Sequence, residues 1–108
     1  MTVNELIGLG GFEALCLPDA DRQICGAYVG DLLSWVMGRA NADNAWITIM
    51  SNVNIIAVAT LADVSCILLA EGVVPDDDVL SVAKAKGVNV LSSKLPAFEL
   101  ALMLSGKV

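Results

Sequence analysis

"AWITIMSNVNIIAVATLADVSCILLAEGVVPDDDVLSVAKAKGVNVLSS" (residues 45–93) reads as strand, helix, strand, helix, strand. The β-branched and aromatic run 45–50 predicts a buried strand. Residues 51–63 predict a helix whose Ile, Val and Ala side chains surround almost the whole circumference. The continuous apolar run 65–70 predicts a second buried strand. Residues 75–87 carry acids in the first turn, lysines in the last and Gly87 just past the end, an order that complements a helix dipole. A short strand over 88–93 follows, and 94–106 close the chain as an amphipathic helix, with Ser92 or Ser93 as cap and Pro96 near its first turn. Continuous apolar strands alternating with helices are the pattern of parallel strands covered on both faces.

The first half is less regular. Thr2 offers an N-cap, Glu5 stands at the capping-box position and Gly10–Gly11 stop the helix. Residues 12–17 alternate, with Phe12, Ala14 and Cys16 on one face, and close at Pro18 and Asp19. Residues 22–30 are strand-like but interrupted at Gly26, which marks a bulge or a close backbone approach. Leu32, Leu33, Val36 and Met37 share helical spacing over 31–40, with Asp31 placed to cap. There is no internal repeat, low-complexity segment or linker. The expectation is one α/β domain over 1–108, of three-layer type. Its sheet is mostly parallel and flanked by helices, with a less regular, β-containing N-terminal part.

The chain is 56% hydrophobic and 17% charged. So small a body cannot hide that much apolar surface, which predicts a homodimer or a subunit of a larger assembly. The formal charge is −6 and the six basic residues are scattered, so no stripe exists to neutralise nucleic-acid phosphates. With three cysteines, no CxxC and no histidine, neither a zinc nor an iron–sulfur site is expected, and no cofactor is. Cys16 and Cys66 read as small core residues. Residues 53–74 have the length of a membrane span, but Asp63 at the middle argues for a buried helix followed by a buried strand. The N-terminus lacks the pattern of a signal peptide, and a reducing cytoplasm is the expected location.

In parallel sheets, ligands bind beyond the carboxyl ends of the strands. Those positions read as Gly30–Asp31, Ser51, Asn52 and Asn54, Glu71–Gly72, and Ser92–Ser93. Polar side chains at helix N-termini favour an anion, yet Ser51, Asn52, Ser92 and Ser93 could equally be plain caps. Asp21–Arg22 could bind phosphate or form a structural pair. Asp31 could be a general base, although a cap is the commoner role there. The acids Asp76–Asp78 could hold a cation or simply serve the dipole. Cys25 as a nucleophile would lack a base. No phosphate loop, dinucleotide fingerprint or nucleophile elbow is present. Trp35 and Trp46 read as core or dimer-interface residues. The candidate ligand-binding set is Arg22, Asp31, Ser51, Asn52, Asn54 and Ser92, with Arg22 joining if its loop folds over; no catalytic residue and no metal ligand is assigned.

Asp21-Arg22-Gln23-Ile24-Cys25-Gly26-Ala27, followed by Tyr28-Val29-Gly30-Asp31-Leu32-Leu33-Ser34, resembles the signature of the DRTGG domain family. The later "WITIMSNVNIIAVATLADVSCILLAEG" and "PDDDVLSVAKAKGVNVLSS" resemble that family too, and the likeness runs from Thr2 to Leu104. The resemblance implies a compact α/β domain that tends to dimerise and has no general catalytic activity. Members stand alone, accompany CBS domains in regulated pyrophosphatases, or are joined to phosphotransacetylase-type enzymes; the fold is similar to the non-catalytic N-terminal domain of HPr kinase/phosphorylase. Stand-alone members are often encoded near iron-only hydrogenase and related redox genes, which makes a redox enzyme a candidate partner. This sequence departs from the pattern with Cys25 in place of Thr, Ala27 in place of the second Gly, and Asn52 where many relatives carry His. A family ligand site that used that histidine is changed here. The resulting expectation is a dimeric, non-catalytic regulatory or docking module that binds a small anion such as a nucleotide. The alternative is a structural accessory subunit of a redox complex, and third comes an enzyme using Asp31 or Cys25. Nucleic-acid and membrane partners are not expected.

Overall fold

A computed structural model describes residues 1–108. Thr2 caps α1 (Val3–Gly8) through a capping box: its side chain accepts the Glu5 N–H at 3.1 Å while Glu5 accepts the Thr2 N–H at 2.9 Å. Then come β1 (Glu13–Cys16), β2 (Ala27–Val29), α2 (Leu33–Arg39), β3 (Ala45–Thr48), α3 (Asn54–Ala62), β4 (Cys66–Leu69), α4 (Asp77–Lys86), β5 (Val90–Ser92) and α5 (Ala97–Leu104). Gly87 ends α4 in the left-handed conformation, as its place in the sequence predicts. The long apolar run 53–74 divides into α3 and β4 at Asp63, and no helix is long and apolar enough to cross a membrane.

The strand order is β1-β5-β4-β3-β2, with β2 to β5 parallel and β1 antiparallel on the edge. Because β2, β3, β4 and β5 are successive neighbours, right-handed crossovers put α2, α3 and α4 on one face. The core follows that rule. Val36 of α2, Ile55 and Ala59 of α3, and Val79 and Ala83 of α4 pack with Trp46, Ile67, Leu69 and Val90. On the other face Val3 and Leu6 of α1 and Leu100 and Leu104 of α5 pack with Ala45, Ile47, Cys66, Leu68 and Leu91. Each central strand is thus apolar on both sides, which makes three layers.

The expected strand over 22–30 contracts to β2, and the residues before it take a different path. Gly26 has φ +76°, and a β-carbon there would lie 3.1 Å from the Asn44 amide nitrogen. The turn lets the segment from Asp19 to Cys25 lie across the amino ends of the parallel strands. One buried polar residue waits just before each of three strands: Asn44, Ser65 and Asn89. Asn44 donates to the Cys25 carbonyl at 2.8 Å and accepts the Asn41 N–H at 2.9 Å. The Ser65 hydroxyl meets the carbonyls of Gln23 and Asp43. Asn89 donates to the carbonyls of Asp19 and Ser65 and accepts the Asp19 N–H. No buried side-chain polar atom lacks a partner.

Arg22 completes this network, and it does not pair with Asp21. Its Nε and Nη2 donate to Asp43 Oδ1 at 3.2 and 2.9 Å, while Nη2 also reaches Asp63 Oδ1 at 2.8 Å and the Asp63 carbonyl at 2.7 Å. Both aspartates sit in left-handed backbone, φ 67° and 59°, at the turns that feed β3 and β4. Burial lowers the Arg22 pKa, but the hydrogen bonds and charges of Asp63 and Asp43 outweigh it and leave a net rise. Charge-assisted bonds of this kind make Arg22→Ala expected to cost about 1–3 kcal/mol, read as a lower urea midpoint at unchanged slope. Arg22→Lys should recover only part of it, since an ammonium lacks the fork geometry. An unchanged midpoint for Arg22→Ala would show the fork to be ornamental.

Candidate functional site

With the amino end closed, the open positions are where the parallel strands finish. Asp31 follows β2 there, but it does not cap α2, whose N-cap is Leu32 with no side-chain bond. Its Oδ1 accepts the Thr48 hydroxyl at 2.8 Å and the Ile49 N–H at 3.0 Å, which ties the ends of β2 and β3 together. The same junction carries Gly30, whose carbonyl accepts the Trp46 indole N–H at 2.9 Å; a β-carbon on Gly30 would meet the Tyr28 ring at 2.9 Å. Trp46 is therefore core. Trp35 is half exposed on α2, with the Arg39 guanidinium 3.7 Å from its ring centroid.

The other candidates disperse. Asn52 Oδ1 accepts the Asn54 N–H at 2.9 Å, so Asn52 serves the first turn of α3. Asn54 lines a groove of about 460 Å³ between α3 and α4, with Thr60 and Lys86. Ser92 donates to the Val73 carbonyl at 2.9 Å, and Ser93 accepts the Leu95 N–H at 3.2 Å. Neither caps α5, which begins at Pro96 with no side-chain cap bond; the φ fixed by proline starts that helix instead. Arg22 stands at the opposite end of the sheet, roughly 13 Å away along a four-residue strand. No cavity gathers more than one of Arg22, Asp31, Ser51, Asn52, Asn54 and Ser92. A second groove, about 540 Å³ between β1 and α4, holds none of them.

One crevice has a topological cause. β4 leaves toward α4 on one face and β5 leaves toward α5 on the other, and diverging exits open a gap at the carboxyl ends of adjacent parallel strands. A cavity of about 530 Å³ lies there, lined by Gly11, Phe12, Glu13, Gly72, Ser92 and Lys94 among others. Its floor is stitched by the Gly72 N–H to the Ser93 carbonyl at 2.8 Å and the Glu71 N–H to the Leu95 carbonyl at 3.0 Å. Gly72 has φ +73°, and the Lys94 stem passes about where a β-carbon would begin to touch it, at 4.0 Å. Sequence reading reached Ser92 and the Glu71–Gly72 exit but missed Gly11, Glu13 and Lys94. The missing signal was the antiparallel pairing of β1 with β5, which sets Glu13 opposite Ser92.

No group of three or more His, Cys, Asp and Glu side chains converges on a metal position. Cys25 is exposed at the amino end, far from Asp31. Burial raises the Cys16 thiol pKa, with Lys84 opposing. Cys66 is fully buried between strands; desolvation pushes its pKa from 9.0 to about 12 against the weaker pull of Arg22. Maleimide should therefore label Cys25 first and Cys66 only on unfolding. The unfolded chain ionises Cys66 near 9 and the folded chain only near about 12, so its contribution to stability declines as pH rises through that window. Denaturation midpoints measured from pH 9 upward should fall less steeply for Cys66→Ala than for the native sequence. Equal slopes would contradict this burial.

The family model described as "DRTGG domain" matches residues 24–106, a span that begins just after Asp21 and Arg22. Among solved structures, the chain is similar to the CBS and DRTGG domains of the regulatory region of Clostridium perfringens pyrophosphatase, a crystal structure complexed with activator, diadenosine tetraphosphate. The TM-score is 0.75 at 17% identity, over 94% of this chain and 44% of that one, so the likeness is one of fold and this chain spans less than half the length of its neighbour. A search of curated proteins returned no match.

Proposed function

This chain belongs to the DRTGG domain family, and from that premise we propose that it is a non-catalytic regulatory or docking module that works as a dimer. The observation that carries the reading is the contrast between the two edges of the sheet. β1 is a guarded edge: it opens on the charged Glu13, shifts register between Ala14 and Cys16, and runs into Pro18. β2 is Ala27, Tyr28 and Val29, with no charge, proline or bulge, and Ala27 and Val29 are exposed. Beside it α2 presents Trp35 and Met37 to solvent. A second copy pairing with β2 about a two-fold axis would satisfy that edge and cover those side chains. Catalysis has no comparable support, because Cys25 and Asp31 occupy opposite ends of the sheet and Asp31 Oδ1 is already committed to two donors. Sedimentation at micromolar concentration should give a dimer, and Val29→Lys a folded monomer with an unchanged circular dichroism spectrum. A native monomer would overturn the dimer.

For the ligand, the crevice between β4 and β5 has a volume within the range usual for small molecules. Lys94 could take a phosphate of a nucleotide there, in keeping with the activator bound by the regulatory region that shares this fold. The carboxylates around Lys94 oppose a polyphosphate, so the expected affinity is weak. Diadenosine tetraphosphate or ATP at millimolar concentration should raise Tm for the native chain and not for Lys94→Ala. The absence of any shift would remove the nucleotide and leave the docking module.

A further inference from the structure

The net charge of −6 is not spread over the molecule. Helices that follow parallel strands run back from the carboxyl end of the sheet to the amino end. The cations in or after their last turns are carried with them: Arg39 on α2, Lys84 and Lys86 on α4, and Lys107 past α5. Arg22 is bound at the amino end as well. Lys94 is left as the one cation at the carboxyl end. Glu13, Asp31, Glu71, the run Asp76–Asp78 and Glu99 all stand at that same end, and every one is exposed. The seven acids against one lysine account for the entire net charge of the chain.

Helix dipoles explain part of this placement, since Asp77, Asp78 and Glu99 lie in first turns. They do not neutralise it. Both salt bridges in the molecule belong to Arg22, so none of the seven carboxylates is ion-paired. The same end also exposes Leu32, Ile49, Val53, Val74 and Phe98, the last 71% accessible. These side chains sit on the exits of β2, β3, β4 and β5, interleaved with the acids. An acidic end carrying uncovered apolar side chains is complementary to a surface that is basic and apolar together.

We propose that the carboxyl end of the sheet docks a basic, apolar-faced segment of another protein, in the manner of an amphipathic helix rich in lysine or arginine. A second copy of this chain is a poor occupant, because it would bring −6 against −6 at the same end. The inference rests on the docking half of the function proposed above and leaves β2 free for self-association.

The test titrates the full chain against a labelled amphipathic peptide of about fourteen leucine and lysine residues, followed by fluorescence anisotropy. Binding is expected, and raising salt from about 50 to about 200 mM should weaken it about tenfold. Asp77→Asn/Asp78→Asn and, separately, Ile49→Ser/Phe98→Ser should each cost about fivefold or more, by lost attraction and lost burial. The charge-matched pair Asp19→Asn/Asp21→Asn, at the amino end, should leave binding unchanged. Equal loss from the amino-end pair, or indifference to Ile49 and Phe98, would reduce the effect to net charge and overturn the proposal. Sedimentation of the same samples separates the two readings. A dimer that fails to bind the peptide overturns only the docking end. A dimer dissolved by the peptide would place the second copy on that end and overturn the proposal also.

Discussion

The arrangement depends on one constraint: the amino ends of the parallel strands must be closed with polar groups that water cannot reach. Asn44, Ser65 and Asn89 each precede a strand, are each buried, and each spend their hydrogen bonds on the backbone of the segment from Asp19 to Cys25 or its neighbours. Arg22 then clamps the two left-handed aspartates that turn the chain into β3 and β4. Removing any one partner would leave a buried donor or acceptor unmet, which is costly in a low-dielectric interior. The network therefore acts as a unit. It also explains why residues 19–25 add no strand to the sheet: their backbone bonds go to the strand ends and to Met1, Val3 and Asn4, and not along an edge.

Closing one end leaves the other to function. The helices that follow the parallel strands return their C-termini, with the cations of α2 and α4, to the closed end, while the first turns of α4 and α5 and their acids gather at the open one. A −6 chain becomes a molecule with a nearly neutral base and a strongly acidic rim. The sheet edges are separated in the same way, β1 guarded and β2 bare. Two surfaces thus differ in chemistry: the bare β2 edge suits the proposed self-association, and the acidic rim suits the proposed basic partner, with the crevice beside Lys94 as the one cationic spot on that rim.

Much of this was legible in the residues alone. The apolar runs of 45–93 dictate parallel strands under helices, and Thr2, Glu5 and Gly87 act as their positions require. Long-range pairing was not legible. Nothing local says that Arg22 will reach Asp43 and Asp63, twenty-one and forty-one residues onward. Asp31 looked like a cap because it precedes a helix, yet Thr48 and Ile49 offer two donors to its carboxylate. Ser92 was found because strand ends can be counted, whereas Lys94 and Glu13 needed the direction of β1, which a four-residue strand does not declare. The dispersal of the other site candidates has the same cause. Polar residues at strand ends share a rim, but a rim is not a pocket until topology opens one.

Native-state hydrogen exchange tests the central claim most directly, because it reads the two ends of the sheet in one experiment. The amides of Cys25, Asp43 and Ser65 are bonded to the carbonyls of Asp43, Asp63 and Asn44 within the amino-end network. They should exchange only with global unfolding, in step with the central amide of Ile67, while the amides of Val74 and Lys94 at the open end exchange far faster. Amino-end amides that exchange as quickly as those of Val74 and Lys94 would contradict the account, since the network could not then be what holds the strands.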